Sequence, residues 1–515
     1  MSNYDRRIKM GESYWIDSSE GRTYGPLSGS EDCQCGIIGG GIVGLTTAYL
    51  LTKKGKTVVL VDANKVAQGC TGRNTGKVTT QHNIIYSKIK KKYDLERARS
   101  YYEGNKEAIE FIEKIVKENN IECEFERETS YVFAETDEGL KELKEEYEVC
   151  KELGIDCDFV DELPIPIESK GAVAFNNVAS INPKMYCDIL GDLVVKQGGK
   201  IYENSPVTQV ESGEKCSFQT REGKWVQCEQ LVLASHFPFY DGEGFFFSRL
   251  EPKKTYAVAG DVPEGFVEGM YVNVEDPSRS LHYMNKENEH LLLIVGNTHK
   301  MGDDKNINHY EVLKEYGREK FGIKNYRYEW SAEDYFTPDY IPYIGHLNSK
   351  NENIYVATGF RKWGNTNGTL AGIIISDLIV SGESKYKDTF NPSRGKAFLS
   401  KDFVKFNMEV AYNYVKGKLK IGDMEIHLEE GEGKIINLNG RRYGAYKEGK
   451  HNVYIVDITC THLGCELTWN NTDKTWDCPC HGSRFNYKGE VLEGPATEAL
   501  KPYKCGENKI NPKIK

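Results

Sequence analysis

The fold is decided by Cys35-Gly36-Ile37-Ile38-Gly39-Gly40-Gly41-Ile42-Val43-Gly44-Leu45. A short apolar run leads into glycines, and an apolar helical stretch continues to Leu51. Thr57–Val61 then reads as a second buried strand. Strand, glycine turn, helix and strand in this order open a doubly wound fold. Gly39, Gly41 and Gly44 match G-x-G-x-x-G. Such glycines allow the tight turn and let backbone N–H groups approach a pyrophosphate at the helix N-terminus. Asp62 follows about 20 residues on, where a carboxylate can accept hydrogen bonds from a ribose. The alternative is a glycine-rich turn with no ligand. The strand before and helix after the motif argue for the dinucleotide.

Outward from this unit, periodicity predicts helices over Asp94–Asn119, Glu138–Leu153 and Pro183–Lys196, with Gly154 and Gly198-Gly199 as stops. Strands are expected at Tyr131–Glu135, Val207–Val210, Ser217–Thr220, Gln230–Ala234 and Ile354–Ala357. Residues 245–330 read as strand-rich and aromatic. A helix is expected from about Thr366 to Val380, then a polar linker, then a helical segment over Phe398–Val415 and a strand-rich unit.

A chain of 515 residues is long enough for two to four domains. The net charge of −10 argues against a nucleic-acid partner and against an anionic membrane surface. Met1–Ser30 has no apolar core of a secretory signal. The apolar stretch Thr369–Val380 is interrupted by Asp377 and is too short to cross a bilayer. No membrane span and a cytoplasmic location are therefore expected.

Further segments identify the dinucleotide. Gly69-Cys70-Thr71-Gly72-Arg73-Asn74-Thr75-Gly76 forms a second small-residue loop after Asp62. Ser205-Pro206-Val207 and Ala234-Ser235 adjoin predicted strands. Asp339-Tyr340-Ile341-Pro342-Tyr343-Ile344-Gly345 precedes Tyr355–Phe360, then Lys362-Trp363-Gly364 and Thr366-Asn367-Gly368-Thr369. Over about residues 12–385 the chain resembles the D-amino-acid oxidase and sarcosine oxidase group of flavoenzymes. The resemblance implies FAD. It implies contacts from Thr71, Asn74 and Gly76, a backbone contact to adenine at Val207, and a closing turn made by Gly345, Gly359, Lys362, Trp363, Gly364 and Thr366. In that group the helix after the turn lies against the flavin pyrimidine, where its N–H groups and dipole stabilise charge on the reduced ring. Asp62 departs from the group, which more often carries Glu there.

The fourteen cysteines are spread unevenly, and four fall within residues 460–480 beside two histidines. Cys460-Thr461-His462 and Cys478-Pro479-Cys480-His481 are 15 residues apart. One thiolate and one imidazole on each of two loops suit a Rieske [2Fe–2S] centre, in which two histidines replace two cysteines on one iron. The rival is zinc, but Cys₂His₂ fingers pair like with like. The surroundings, Cys460-Thr-His-Leu-Gly-Cys465, Cys478-Pro-Cys-His-Gly-Ser483 and Gly494-Pro495-Ala496, resemble Rieske proteins over about residues 416–510. The resemblance implies that Cys460, His462, Cys478 and His481 hold the cluster. It also implies a disulfide between Cys465 and Cys480. Cytosolic disulfides are unusual, so two reduced thiols stay open as the alternative.

The expected fold class is an α/β Rossmann-like FAD-binding domain with an α+β substrate domain, plus a C-terminal all-β Rieske domain. The flavoprotein body is expected over 31–385, with FAD-binding elements at 31–82, 170–240 and 335–385, and a substrate domain at about 83–169 and 241–334. A linker and helix would occupy 386–415 and the Rieske domain 416–515. Weak catalytic candidates are His82, Lys362, Tyr256 and Arg279. Arg249, His282, Tyr283 and Lys300 share the expected substrate domain, where an Arg could grip a carboxylate. For each of these residues alone, a packing or surface role is the stronger reading. The expected function is a dehydrogenase. It would oxidise a small amine, imino or amino acid and pass electrons through the cluster to an external one-electron acceptor. The alternatives are a reductase fed by a ferredoxin-like donor and a non-catalytic redox sensor. A Rieske oxygenase would need an iron domain after the cluster, and only 34 residues follow His481.

Overall fold

The computed structural model describes residues 8–240, 244–263, 265–286, 289–303, 307–395, 407–408, 410, 412, 428–438 and 440–503. The helix expected over Phe398–Val415 lies almost wholly outside them. The chain forms two compact units. The larger comprises residues 1–244, 255–298 and 310–397; the smaller comprises 245–254, 299–309 and 398–515.

In the larger unit, the opening motif builds an eight-stranded sheet. Glu31–Ile38 pairs in parallel with Val58–Val61 on one side and Trp225–Leu233 on the other. Lys200–Tyr202 and Asn351–Thr358 extend it, also in parallel, and Tyr343–Asn348 closes the edge antiparallel. A ribbon, Val207–Glu211 and Cys216–Thr220, hangs antiparallel from Trp225–Leu233. Val58–Val61 and the Leu231–Leu233 end of Trp225–Leu233 are buried on both faces, which explains their unbroken Val and Leu runs. Helices Ile42–Lys53, Gly364–Ser381 and Pro183–Lys196 pack with this sheet.

A second sheet of ten strands supplies the other half. Its order runs Lys9–Met10, Tyr326–Phe336, Glu251–Asp261, Glu289–Lys300, Arg279–Lys286, Met270–Asn273, Glu126–Ala134, Gly171–Ser180, Lys77–Val78, with Cys157–Val160 beside Gly171–Ser180. One face carries Trp15, Met284, Leu293 and Trp330. The other packs under helix His309–Phe321 through Tyr256, Leu292, Tyr310 and Leu313.

Capping chemistry sets the helix ends. Asp94 accepts the Arg97 N–H at 2.7 Å to start Leu95–Asn119, and Asn120 ends it with φ +49°. Thr136 accepts the Gly139 N–H at 3.0 Å to start Asp137–Leu153, and Gly154 ends it at φ +73°. Pro183–Lys196 opens on Asn182 with proline in the first turn. Glu126–Ala134, Trp225–Leu233 and Asn351–Thr358 run longer than expected. The residues added to Glu126–Ala134 are polar and mostly half-buried or exposed, so no apolar pattern reveals them, whereas those added to Trp225–Leu233 alternate, with Val226 and Cys228 buried and Gln227 and Glu229 exposed.

The smaller unit holds two sheets. One has three strands, Gly433–Leu438, Arg441–Glu448 and Asn452–Asp457; the other has four, Thr468–Asn470, Thr475–Asp477, Arg484–Asn486 and Val491–Glu493. Trp476, Phe485, Leu467, Val456 and Leu500 form its core. A side chain at Gly444 would strike the Trp476 ring at 2.4 Å, so glycine is needed there for close packing. The two Cys/His loops lie between Asp457 and Thr468 and between Asp477 and Arg484.

Candidate functional sites

The glycines of the opening turn have separable reasons. A Cβ on Gly44 would sit 1.9 Å from the Gly39 carbonyl oxygen, and one on Gly39 would sit 2.4 Å from that of Ala234. The fold itself demands these two. A Cβ on Gly41 would meet only the Thr71 hydroxyl, at 3.0 Å. Protein packing does not explain Gly41. The Ile42 N–H donates to Thr71 Oγ1 at 3.1 Å, joining the first loop to the second.

Asp62 is buried, and its carboxylate accepts the N–H groups of Gly40 at 2.7 Å and Asn64 at 2.8 Å. Burial pushes its carboxyl up, against those two bonds. The acid expected at the ribose therefore also braces the turn. Beside it stands Glu203, which accepts the N–H groups of Val66 and Tyr24 at 2.8 and 3.0 Å. No motif marks Glu203 in the sequence. Val207 is buried at the head of its strand, two residues past Ser205, whose N–H donates to the Asp62 carbonyl at 2.8 Å.

The second loop is held by its own amides. Asn74 accepts the Gly76 N–H at 2.7 Å and donates to Thr71 O at 2.9 Å and Asn365 Oδ1 at 2.7 Å. Trp15 and Trp330 indoles donate to the carbonyls of Asn74 and Arg73 at 2.7 and 2.9 Å.

The closing turn has Gly359 at φ +79°, then Arg361 at +54° and Lys362 at +76°. Two consecutive non-glycine residues in the left-handed region are costly and mark a functional constraint. Helix Gly364–Ser381 follows, with Trp363 at its N-cap making no side-chain capping bond. An uncapped, positive helix end suits an electron-rich ring edge. Lys362 Nζ donates to Thr298 Oγ1 at 2.5 Å. His82 is buried, bonded to Tyr101 OH at 2.6 Å and Thr366 Oγ1 at 3.1 Å, and stacked on Trp363 at 4.8 Å. Burial lowers its imidazole to about 3.

The remaining candidates scatter. Tyr256 lies in the core against Tyr310, ring centroids 5.4 Å apart. Arg279 covers the Tyr316 ring at 5.5 Å. Arg249 and Lys300 fall in the smaller unit, where Lys300 pairs with Glu251 at 2.7 Å. Two buried groups escaped sequence reasoning. Lys77 donates to Ser280 Oγ at 2.8 Å, and burial, opposed by Glu128, lowers its ammonium to about 7. Arg394, inside the expected linker, clamps Asp339 of the closing motif at 2.5 and 2.9 Å.

In the smaller unit, each Cys/His loop is closed by its own backbone. The Cys460 N–H donates to Cys465 O at 2.8 Å, and the Cys478 N–H to Ser483 O at 2.8 Å. The His462 and His481 rings are 5.0 Å apart and nearly perpendicular. Hydrogen bonds from Cys478, from the His462 and Leu463 N–H groups and from Ser483 lower the Cys460 thiol to about 7 against burial, while Cys478 is raised. Burial lowers His462 to about 4 and His481 to about 3, leaving both imidazoles neutral. Two neighbouring sulfurs and two neutral imidazoles, split one of each per loop, fit a Rieske cluster. Cys465 and Cys480 are joined by a disulfide that ties the loops together, and both sulfurs lie within 4.8 Å of the Cys478 sulfur.

Residues 35–378 match the family model of the FAD-dependent oxidoreductases. The chain belongs to this family. Residues 422–504 match the Rieske [2Fe-2S] domain. YhfW of Bacillus subtilis (strain 168), named as a Rieske 2Fe-2S iron-sulfur protein, is 40% identical over 97% of this chain and 99% of its own length. Gamma-glutamylputrescine oxidoreductase of Escherichia coli (strain K12) is 25% identical, over 73% of this chain and 91% of its own. Glycine oxidase from Geobacillus kaustophilus has the same fold, with TM-score 0.61 and 16% identity over 71% of this chain and all of its own. The protein is an FAD-dependent oxidoreductase with a Rieske domain, and its cofactors are FAD and a [2Fe–2S] cluster. No helix among the described residues is long and apolar enough to cross a membrane.

Proposed function

We propose that the enzyme dehydrogenates a small amine, imino acid or amino acid, and that the electrons leave through the [2Fe–2S] cluster to an external one-electron acceptor. The observation that carries this reading is the joining of the two centres in one chain, an arrangement whose length YhfW matches almost end to end. When bound, FAD supplies hydride chemistry and the cluster supplies single-electron transfer. The likeness to gamma-glutamylputrescine oxidoreductase supports the amine class.

In this reading Gly41 leaves room for the pyrophosphate, and Asp62 faces the ribose while bracing Gly40. Thr71, Asn74 and Gly76 carry the second loop, and Val207 contacts adenine. Gly345, Gly359 and Lys362 to Thr366 close on the flavin. Cys460, His462, Cys478 and His481 ligate the cluster. The flavoprotein body spans 31–385 and the Rieske domain 416–515, with 386–415 joining them. The test is an anaerobic screen of amines and amino acids, followed at flavin and cluster wavelengths together. A substrate should bleach the flavin and then the cluster. If no amine bleaches the flavin, and reduced ferredoxin reduces the cluster and then the flavin, the electron flow is the reverse of this proposal.

A further inference from the structure

Lys77 stands at a junction of the larger unit. It directly follows Gly76, the end of the second small-residue loop, and its carbonyl accepts Asn365 Nδ2 at 3.0 Å. Asn365 lies in the first turn of helix Gly364–Ser381 and also receives Asn74 of that loop at 2.7 Å. From this junction the Lys77 side chain reaches the ten-stranded sheet. Its Nζ donates to Ser280 Oγ at 2.8 Å and, more weakly, to the Tyr271 carbonyl at 3.4 Å. Lys77 is 5% exposed, and these two oxygens are its only acceptors among the described residues. An ammonium carries three N–H donors; a neutral amine carries two and a lone pair. The contacts satisfy the amine and leave an ammonium one bond short. Burial acts the same way, lowering the group to about 7 against the influence of Glu128.

The charged group that acts on Lys77 is Glu128, on strand Glu126–Ala134. Its Oε1 accepts the Ser180 hydroxyl and lies 3.6 Å from His282 Nε2. His282 Nδ1 donates to the Thr75 carbonyl at 2.7 Å, which ties the same sheet to the small-residue loop. Burial opposes it, but His282, Ser180 and Lys77 hold the Glu128 carboxyl below its usual range, so it is an anion. The next charges out are Glu126, Glu268 and Glu124; burial and these like charges raise the Glu126 carboxyl. Glu128 Oε2 is buried with no hydrogen bond among the described residues. An amine lone pair and a carboxylate oxygen that both lack a donor suit the ammonium group of a ligand.

We propose that Lys77 is the base that takes a proton from the ammonium group of the bound substrate. One N–H bond of the substrate breaks and its electron pair stays on the substrate nitrogen. The proton forms the third N–H bond of Lys77, where the Glu128 charge stabilises it. The freed lone pair becomes the second C–N bond of an imine as the neighbouring C–H bond gives its hydrogen and both electrons to FAD. This rests on the reading that the enzyme dehydrogenates an amine nitrogen, and it adds the residue that makes that nitrogen reactive. Burial lowers a substrate ammonium in the same place as well, so the proton passes between two comparable nitrogens.

The test follows anaerobic flavin reduction in the holoenzyme by stopped flow, with glycine, L-proline and putrescine as the probes. Wild-type reduction should climb as pH rises through about 7 and then level off. Lys77→Met, which keeps the length without the nitrogen, should be slower by about hundredfold or more near neutral pH. It should regain most of that loss toward about pH 10, where a free amine begins to arrive neutral. Lys77→Arg, which stays charged, should behave like Lys77→Met. A second readout needs no substrate. The flavin absorbance of the wild type should shift with a midpoint near pH 7, and both variants should keep their FAD and lose that midpoint. A deficit in Lys77→Met that is the same at every pH, a midpoint that survives the substitution, or loss of FAD from both variants overturns the inference and leaves Lys77 a structural tie to Ser280. If none of the three probes reduces the wild-type flavin at any pH, the amine reading itself fails, and this inference with it.

Discussion

Arg394→Met should be the most damaging single change outside the two cofactor sites. Arg394 and Asp339 are both buried, at 8% and 0% exposure. The guanidinium grips the carboxylate at 2.5 and 2.9 Å and also donates to the carbonyls of Ile341, Pro342 and Phe390. Its removal leaves a buried carboxylate whose remaining partner is Tyr93 OH at 2.7 Å. Breaking one side of a buried pair costs about 3–5 kcal/mol, because the other charge stays desolvated. At roughly 2–4 °C per kcal/mol for a large domain, that predicts a fall in Tm of about 10 °C by calorimetry. The double change Asp339→Leu with Arg394→Met should recover at least half of it, since an apolar pair of similar volume removes the stranded charge. The pH dependence has a defined sign. Burial raises the Asp339 carboxyl, but the Arg394 charge and bonds outweigh it and hold the group below the usual carboxylate range. The pair's contribution is complete above an unfolded pKa of about 3.9 and is lost as pH falls through the lower folded value. In Arg394→Met the raising effect of burial on Asp339 is unopposed, so the gap should be widest near neutral pH, begin to narrow above the usual carboxylate range as the stranded group takes up a proton, and narrow further below about pH 4 as the wild-type pair is lost. A loss under about 1 kcal/mol, or a gap that widens on acidification, would refute the reasoning.

Gly41→Val should give folded protein without flavin, because only the Thr71 hydroxyl lies near the new side chain; retained FAD by absorbance in that variant would count against the pyrophosphate assignment. Gly44→Ala should instead fail to fold, since its Cβ meets backbone at 1.9 Å. Cys460→Ser should abolish the Rieske electron paramagnetic resonance signal while leaving anaerobic flavin reduction intact; unchanged turnover with a one-electron acceptor would take the cluster off the route. Ser483 accepts the Ala496 N–H at 3.0 Å and bonds the Cys460 sulfur. Donors to cluster sulfur favour the reduced state, so Ser483→Ala should lower the potential by about 60 mV for each ~1.4 kcal/mol lost. Phe485→Tyr, adding a second donor in the core beside the ligands, should raise it; redox titration checks both.

The sequence was most informative where chemistry acts locally. The Gly39–Gly44 turn, the caps at Asp94, Thr136 and Asn182, and the paired Cys/His loops are all visible as short patterns, and the caps depend on neighbours three residues away. What stayed hidden depends on distant partners. Glu203 reads as one more charged residue, yet it holds Val66, 137 positions away. Arg394 looks like part of a polar linker, yet it fixes a motif 55 residues upstream. Lys77 follows the second flavin loop like any solvent-facing lysine, and only tertiary folding buries it against Ser280.

The same distinction bears on how the two centres came to share a chain. Residues 245–254 and 299–309 belong by sequence to the middle of the flavoprotein family match, yet they are compact with the Rieske strands. A domain merely appended by a linker would need no complementary residues in that match. Here Lys254 is fully buried and paired with Asp473, and burying an ammonium without such a pair would be costly. Gly302 can approach Pro479 only because it lacks a side chain. These features are explained by selection for a fixed mating of the ligand loop with the chain's own mid-segments. A flavoprotein body expressed without residues 398–515 should therefore show more than loss of the cluster. With Asp473 and Pro479 removed, cross-linking or limited proteolysis should find segments 245–254 and 299–309 newly accessible. Protection of both segments in the truncated chain would mean that the Rieske strands are a detachable addition.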